Sequence, residues 1–192
     1  MLRRLTFALC LALTPLALHA QEAEPDPALL VADTVVVTPD ERLIAEGNVE
    51  ALYDGTRIWA RRITYVSETD SLIIEGPIRI DDGESVVILA DAAELDSDLE
   101  NGLLGGARMV LDQQLQLAAV QLARVEGRYT QLSKVTVTSC QICGPKGVPL
   151  WSIRARRAIH DELPQQLYFD GATFRVLDVP VMYIPRLRLP DP

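Results

Sequence analysis

Cys140 and Cys143, in the run Cys-Gln-Ile-Cys-Gly-Pro, have the spacing of a thioredoxin-like redox pair. Such a pair needs a helix start beside a parallel sheet to activate its thiolate, and the flanking sequence supplies neither. A zinc site needs four ligands, and beyond the first twenty residues the only histidine is His160. Glu46 and Glu75 recur at equivalent positions of a repeat. They would be a glycosidase-like pair only if they faced each other across a cleft. As repeat equivalents they should lie about 10 Å apart on one wall, at strand ends, as turn or edge residues. Arg61-Arg62 and the arginines from Arg154 to Arg157 could meet lipid phosphates, although exposed strand arginines are usually solvated. No nucleophile–His–acid set can be assembled from His160 alone without a Gly-x-Ser-x-Gly turn. The expectation is a protein with no catalytic residues, no metal and no cofactor.

The compartment is read from the start of the chain. Arg3 and Arg4 precede an uncharged apolar run from Leu5 to Leu18, and the small residue Ala20 follows. Residues 1–20 therefore read as a signal peptide, too short to span a bilayer as a helix. Without the two leader arginines, 16 basic residues face 27 acidic ones, a net charge of −11. That surface repels nucleic acid. Residues 21–29 read as a flexible acidic lead-in. In an oxidising compartment Cys140 and Cys143 read as disulfide-forming, a local bridge between them being one option.

The elements that position these residues come from an internal repeat. Leu43 to Val49 returns as Leu72 to Ile78 and, more loosely, as Leu103 to Ala107. Gly47, Gly76 and Gly106 keep steps of 29 and 30 residues, and Ala60, Ala90 and Ala119 keep steps of 30 and 29. Two markers on one period indicate a stacked repeat whose units bury their apolar faces on their neighbours. Runs of β-branched residues punctuated by Asp-Gly and Asn-Gly turns make the unit two antiparallel strands, giving roughly eleven strands. Around each alanine the apolar positions fall two before and three after, one residue off strict alternation. A bulge or corner at the same place in every unit explains that shift. The sheet should then fold along a line into a long V with apolar side chains inside.

Such an interior has two readings. The walls could pack as an ordinary sandwich core. Alternatively they could enclose an apolar groove on the order of 50 Å long, in which each buried acyl methylene is worth about 0.8 kcal/mol. The positions expected to line that groove are Val49, Ile58, Ala60, Ile63, Tyr65, Ile78 and Ile80 in the first units. Ile88, Leu95, Leu117, Leu122, Ile153 and Phe174 follow in the later ones. Trp59, Arg61 and Thr64 should face outward or lie at the fold line.

Ala32-Asp33, Glu46 to Val49, the Ala60 to Tyr65 strand and Glu75-Gly76 resemble the OstA-type lipopolysaccharide-transport family over residues 30–190. The resemblance implies an antiparallel β-jellyroll folded into a V (a β-taco) over 30–178, with lipopolysaccharide acyl chains inside. Thr138 to Cys140, Trp151 to Ile153, Ala158 to Asp161 and Val179 to Pro185 resemble the periplasmic domain of that family's outer-membrane translocon branch. By that likeness 179–192 is a proline-rich junction to a β-barrel, and the location is the periplasmic side of the outer membrane. It also implies that at least one of Cys140 and Cys143 bonds a cysteine near the barrel. The implied partners are lipopolysaccharide, a periplasmic bridge protein of the same fold, and the plug lipoprotein LptE through the barrel. The bridge would add to the open N-terminal edge at Val31, Val35, Val36 and Val37. A stand-alone bridge or structural adaptor of the same fold is the alternative.

Overall fold

The computed structural model describes residues 28–140 and 148–191. The expected leader, most of the acidic lead-in and Cys143 lie outside the described residues. Fourteen strands form one sheet in which every pairing is antiparallel. They are β1 (Leu29–Val31), β2 (Thr34–Val37), β3 (Arg42–Tyr53), β4 (Thr56–Val66), β5 (Ser71–Asp81), β6 (Val86–Asp96), β7 (Gly102–Gly105), β8 (Arg108–Leu111), β9 (Leu115–Ala118), β10 (Gln121–Val125), β11 (Tyr129–Thr138), β12 (Trp151–Asp161), β13 (Gln166–Val176) and β14 (Val179–Pro190). The path β1-β3-β4-β5-β6-β7-β10-β11-β12-β13-β14 has eleven rungs, because three rungs are each split in two. The all-β antiparallel folded sheet read from the repeat is the observed architecture.

A single fold line crosses every rung. Ladder registers slip between Glu46 and Val49, between Trp59 and Arg62, and between Glu75 and Ile78. Other rungs break there instead: β1 from β2 at Ala32-Asp33, β7 from β8 at Gly106-Ala107, β9 from β10 at Ala119-Val120. Farther along, Lys134 is skipped in the β11–β12 ladder, and Gly171 is skipped in the β13–β14 ladder. The repeated glycines and alanines of the sequence sit on this line. Gly47 bulges with φ +81°, a left-handed conformation that side chains resist. At Gly76 a Cβ would stand 2.3 Å from the Asp91 carbonyl oxygen, so the next rung can pass only a glycine.

The line divides the sheet into two walls. The β2 wall holds β2, β7, β10 and the adjoining halves of the long strands, and the β1 wall holds β1, β8, β9 and the other halves. In mid-stack the walls meet through Leu104, Met109, Leu111, Leu117, Leu122 and Leu132, all at most 1% exposed. Each such side chain contributes about 1.5–3 kcal/mol by leaving water.

One boundary is corrected. Residues 179–190, expected as a junction outside the jellyroll, form β14, paired with β13 from Val179↔Val176 to Pro190↔Gln166. Pro180, Pro185 and Pro190 are tolerated because β14 is an edge strand, where a missing N–H removes no ladder bond on the free side.

Candidate functional site

The apolar interior opens at its two ends. At the N-terminal end a cavity of about 390 Å³ lies between the walls. Leu30, Ala51 and Ile58 line it from the β1 wall, Leu43, Ile63, Tyr65 and Leu72 from the β2 wall, and Leu99 from the β6–β7 loop. At the C-terminal end a hollow of about 570 Å³ is lined by Leu150, Trp151, Ile153, Phe174 and Val176. There the Trp151 and Phe174 rings stack, with centroids 6.3 Å apart. Both hollows fall in the range of small-molecule sites, and the side chains facing them are mostly apolar.

All thirteen expected groove residues face the interior or its mouths, but they do not line one continuous trough. Ile58, Ile63 and Tyr65 border the N-terminal cavity, and Ile153 and Phe174 the C-terminal hollow. Val49, Ala60, Ile78, Leu95, Leu117 and Leu122 are packed inside. Ile80 and Ile88 border a hollow of about 70 Å³ capped by Arg124, Thr130 and Glu162. On β4, Trp59, Arg61 and Thr64 lie off the buried face that holds Ile58, Ala60 and Ile63. The expectation missed Leu30, Leu43, Ala51, Leu72, Leu99, Trp151 and Val176. Leu43 and Leu72 are repeat equivalents, so the repeat itself carried a signal for that pair. Leu99 sits in a turn and left none.

The polar groups are spent on structure. Glu46 and Glu75 are not at strand ends but in mid-strand beside the fold line, and Arg62 stands between them, 2.8 Å from Glu46 and 3.5 Å from Glu75. The corner puts them there, because each directly follows the inward residue before a bulge. Arg154 pairs with Asp178 at 2.9 Å, and Arg157 pairs with Asp170. His160, 2% exposed, shares a 2.6 Å hydrogen bond from Nε2 with Asp191. Asp161 accepts two hydrogen bonds from Arg128, at 2.8 and 3.0 Å. That guanidinium holds the Asp161 carboxyl below the ordinary carboxylate range. The neighbouring Glu162 is pushed up by burial. Among the described residues no three His, Cys, Asp or Glu side chains gather as a metal site.

The two remaining features lie at the margins. β1 and β2 pair only with β3, and Val31, Val35, Val36 and Val37 are exposed along that edge. Cys140 is half-buried, and its N–H donates to Thr138 Oγ1 (3.1 Å). Its pairing with Cys143 or a distant cysteine lies outside the described residues.

A folded antiparallel sheet with an apolar interior open at both ends defines the class by architecture. Comparison with known proteins gives it a family context. No family model matches the chain. It is similar to LPS-assembly protein LptD of Aliivibrio fischeri, 24% identical over 173 residues that cover 88% of this chain and 21% of that protein. LptD of Xylella fastidiosa is 25% identical, covering 90% and 21%, and LptD of Salmonella typhimurium is 29% identical, covering 85% and 22%. The chain thus spans about a fifth of the length of the curated relatives it matches. Among solved structures, LptH of Pseudomonas aeruginosa, the LptA-homologous periplasmic component of a lipopolysaccharide transport device, overlaps 86% of this chain and 96% of its own. That overlap has a TM-score of 0.29 and 12% identity. The resemblance read from the sequence and the similarity to these LptD proteins agree.

Proposed function

We propose that this chain is the periplasmic domain of an outer-membrane lipopolysaccharide translocon. It accepts lipopolysaccharide from a periplasmic bridge protein of the same fold and guides the acyl chains between its walls toward a barrel. The observation that carries the reading is the similarity to LptD proteins along nearly the whole chain. An apolar interior with a mouth at each end fits it, since acyl chains need no charged anchor and gain about 0.8 kcal/mol per buried methylene. The exposed β1–β2 edge offers unpaired backbone groups for strand addition by the bridge. Cys140 or Cys143 would tie the domain to the barrel, and LptE would join through the barrel. The role is conduction rather than catalysis, on the periplasmic side of the outer membrane.

A stand-alone bridge or adaptor of the same fold is the second reading, favoured by the packed middle. Photo-crosslinkers in the full-length protein in cells separate the two. Capture of lipopolysaccharide from Ile58, Ile78, Ile88 and Leu117, but not from Arg57, Arg79 and Asp91, is the expected result. Equal capture from both sets would sink the interior path. Capture at Ile58 without Leu117 would favour the adaptor.

A further inference from the structure

The N-terminal cavity is roofed by one loop. Residues 97–101 link β6 to β7 at the free edge of the β2 wall, yet they reach the other wall, where Tyr53 Oη donates to Asp98 Oδ1 (3.3 Å). The near side is tied to the loop's own wall. Ser97 Oγ donates to Asp70 Oδ2 (2.8 Å), and Tyr65 Oη donates to Asp70 Oδ1 (2.9 Å). One run of bonds through the loop therefore joins Tyr53 on the β1 wall to Tyr65 on the β2 wall. At its centre Leu99 turns inward and is 6% exposed, while Asp98 and Glu100 on either side are exposed.

Leu99 holds a left-handed backbone, φ +60°. Bulky residues avoid that conformation, which glycine or asparagine would adopt with far less strain. A leucine kept there is kept for its side chain, and that side chain lines the cavity. Strain of this kind persists where surrounding structure holds it, and it gathers at ligand clamps.

We propose that Leu99, held down by the Tyr53–Asp98 bond, determines how much of an apolar chain the N-terminal cavity admits. The proposal rests on the reading of the interior as an acyl-chain path. With the roof closed, the cavity of about 390 Å³ lies near the bottom of the range for small-molecule sites. With Leu99 withdrawn, the cavity opens sideways between the two walls, and a chain can enter without threading from the end.

The test uses the purified chain and a twelve-carbon fatty acid carrying a terminal diazirine, with labelled peptides mapped by mass spectrometry. Labelling of the parent should fall in residues 43–72. Tyr53→Phe, which leaves the packing intact, should raise labelling affinity about fivefold, the effect of losing one ordinary hydrogen bond from the closed state. Leu99→Ala should raise it at least as much, and Leu99→Trp should lower it tenfold or more. Melting curves verify that each variant is folded, and Tyr53→Phe decides if the Leu99 variants are not. Parent labelling that none of the folded variants changes overturns the role of the roof and leaves the acyl-path reading standing. No labelling of parent or variants overturns that reading and this inference together.

Discussion

The two ends of the interior are built differently. The N-terminal cavity is lined by both walls, roofed by Leu99, and set among strands rich in carboxylates, with nineteen acidic against nine basic residues over 29–138. The C-terminal hollow is lined mainly by the inner face of the β1 wall and floored by stacked aromatics. Its strands carry six arginines against four carboxylates over 151–190. A strict repeat would have made a symmetric trough. The ends differ where the repeat is interrupted, at the 97–101 loop and at the segment before β12. An anion would meet a less negative potential beside β12–β14 than beside the carboxylate-rich strands.

The largest effect should separate the packed middle from the open end. Leu122→Ala removes a side chain with no exposed surface and should cost about 2–5 kcal/mol in chemical denaturation. Phe174→Ala, at the half-buried mouth, should cost about 1 kcal/mol, since that site already borders open space. Equal losses would mean that the middle is no tighter than the mouth.

The fold line should show a smaller contrast of opposite signs. Gly76→Ala drives a methyl into the Asp91 carbonyl and should destabilise by about 1–3 kcal/mol. Lys134 holds φ +53° at the same line, so Lys134→Gly should stabilise by about 1 kcal/mol. Denaturation midpoints moving in one direction for both variants would contradict a shared corner.

The smallest contrast is between adjacent carboxyls. Asp161, lowered by Arg128, contributes stability that is present above its unfolded value near 4 and lost as pH falls through its folded value. Glu162 is raised by burial, so the fold gains from it as pH falls through the raised value and loses as pH rises. Glu162→Gln should raise the Tm at pH 7 and leave it unchanged at pH 4. Asp161→Asn should lower the Tm at pH 7, by a margin that shrinks below pH 4. Parallel pH profiles for the two variants would refute the opposite signs.

The corner was legible because geometry restricts it to few residue types. Gly47 and Gly76 are where a left-handed bulge and a close passage exclude side chains, and Ala60, Ala90 and Ala119 recur along the same line. The pattern fades after Ala119 because Lys134 occupies the slot that glycine fills earlier, and because an insertion precedes β12. The inward face was legible too, since the corner shift put Ile58, Ala60 and Ile63 together. How closely the walls meet was not. Leu117 in the packed middle and Ile58 beside the cavity are the same kind of residue in the same pattern. Leu99 was hidden in a turn, and β14 was hidden behind prolines that an edge strand accepts.

Whether acyl chains meet the interior or the outer face can be read from the two tryptophans. Trp151 lines the C-terminal mouth, whereas Trp59 lies on the outer face with Arg57 and Arg79 about 5.5 Å from its ring. Single-tryptophan variants, Trp59→Phe and Trp151→Phe, are titrated with a bromine-labelled fatty acid while emission is recorded. Quenching of Trp151 with Trp59 unaffected is the predicted result. Equal quenching of both, or quenching of Trp59 alone, would rule out an interior site for the acyl chain.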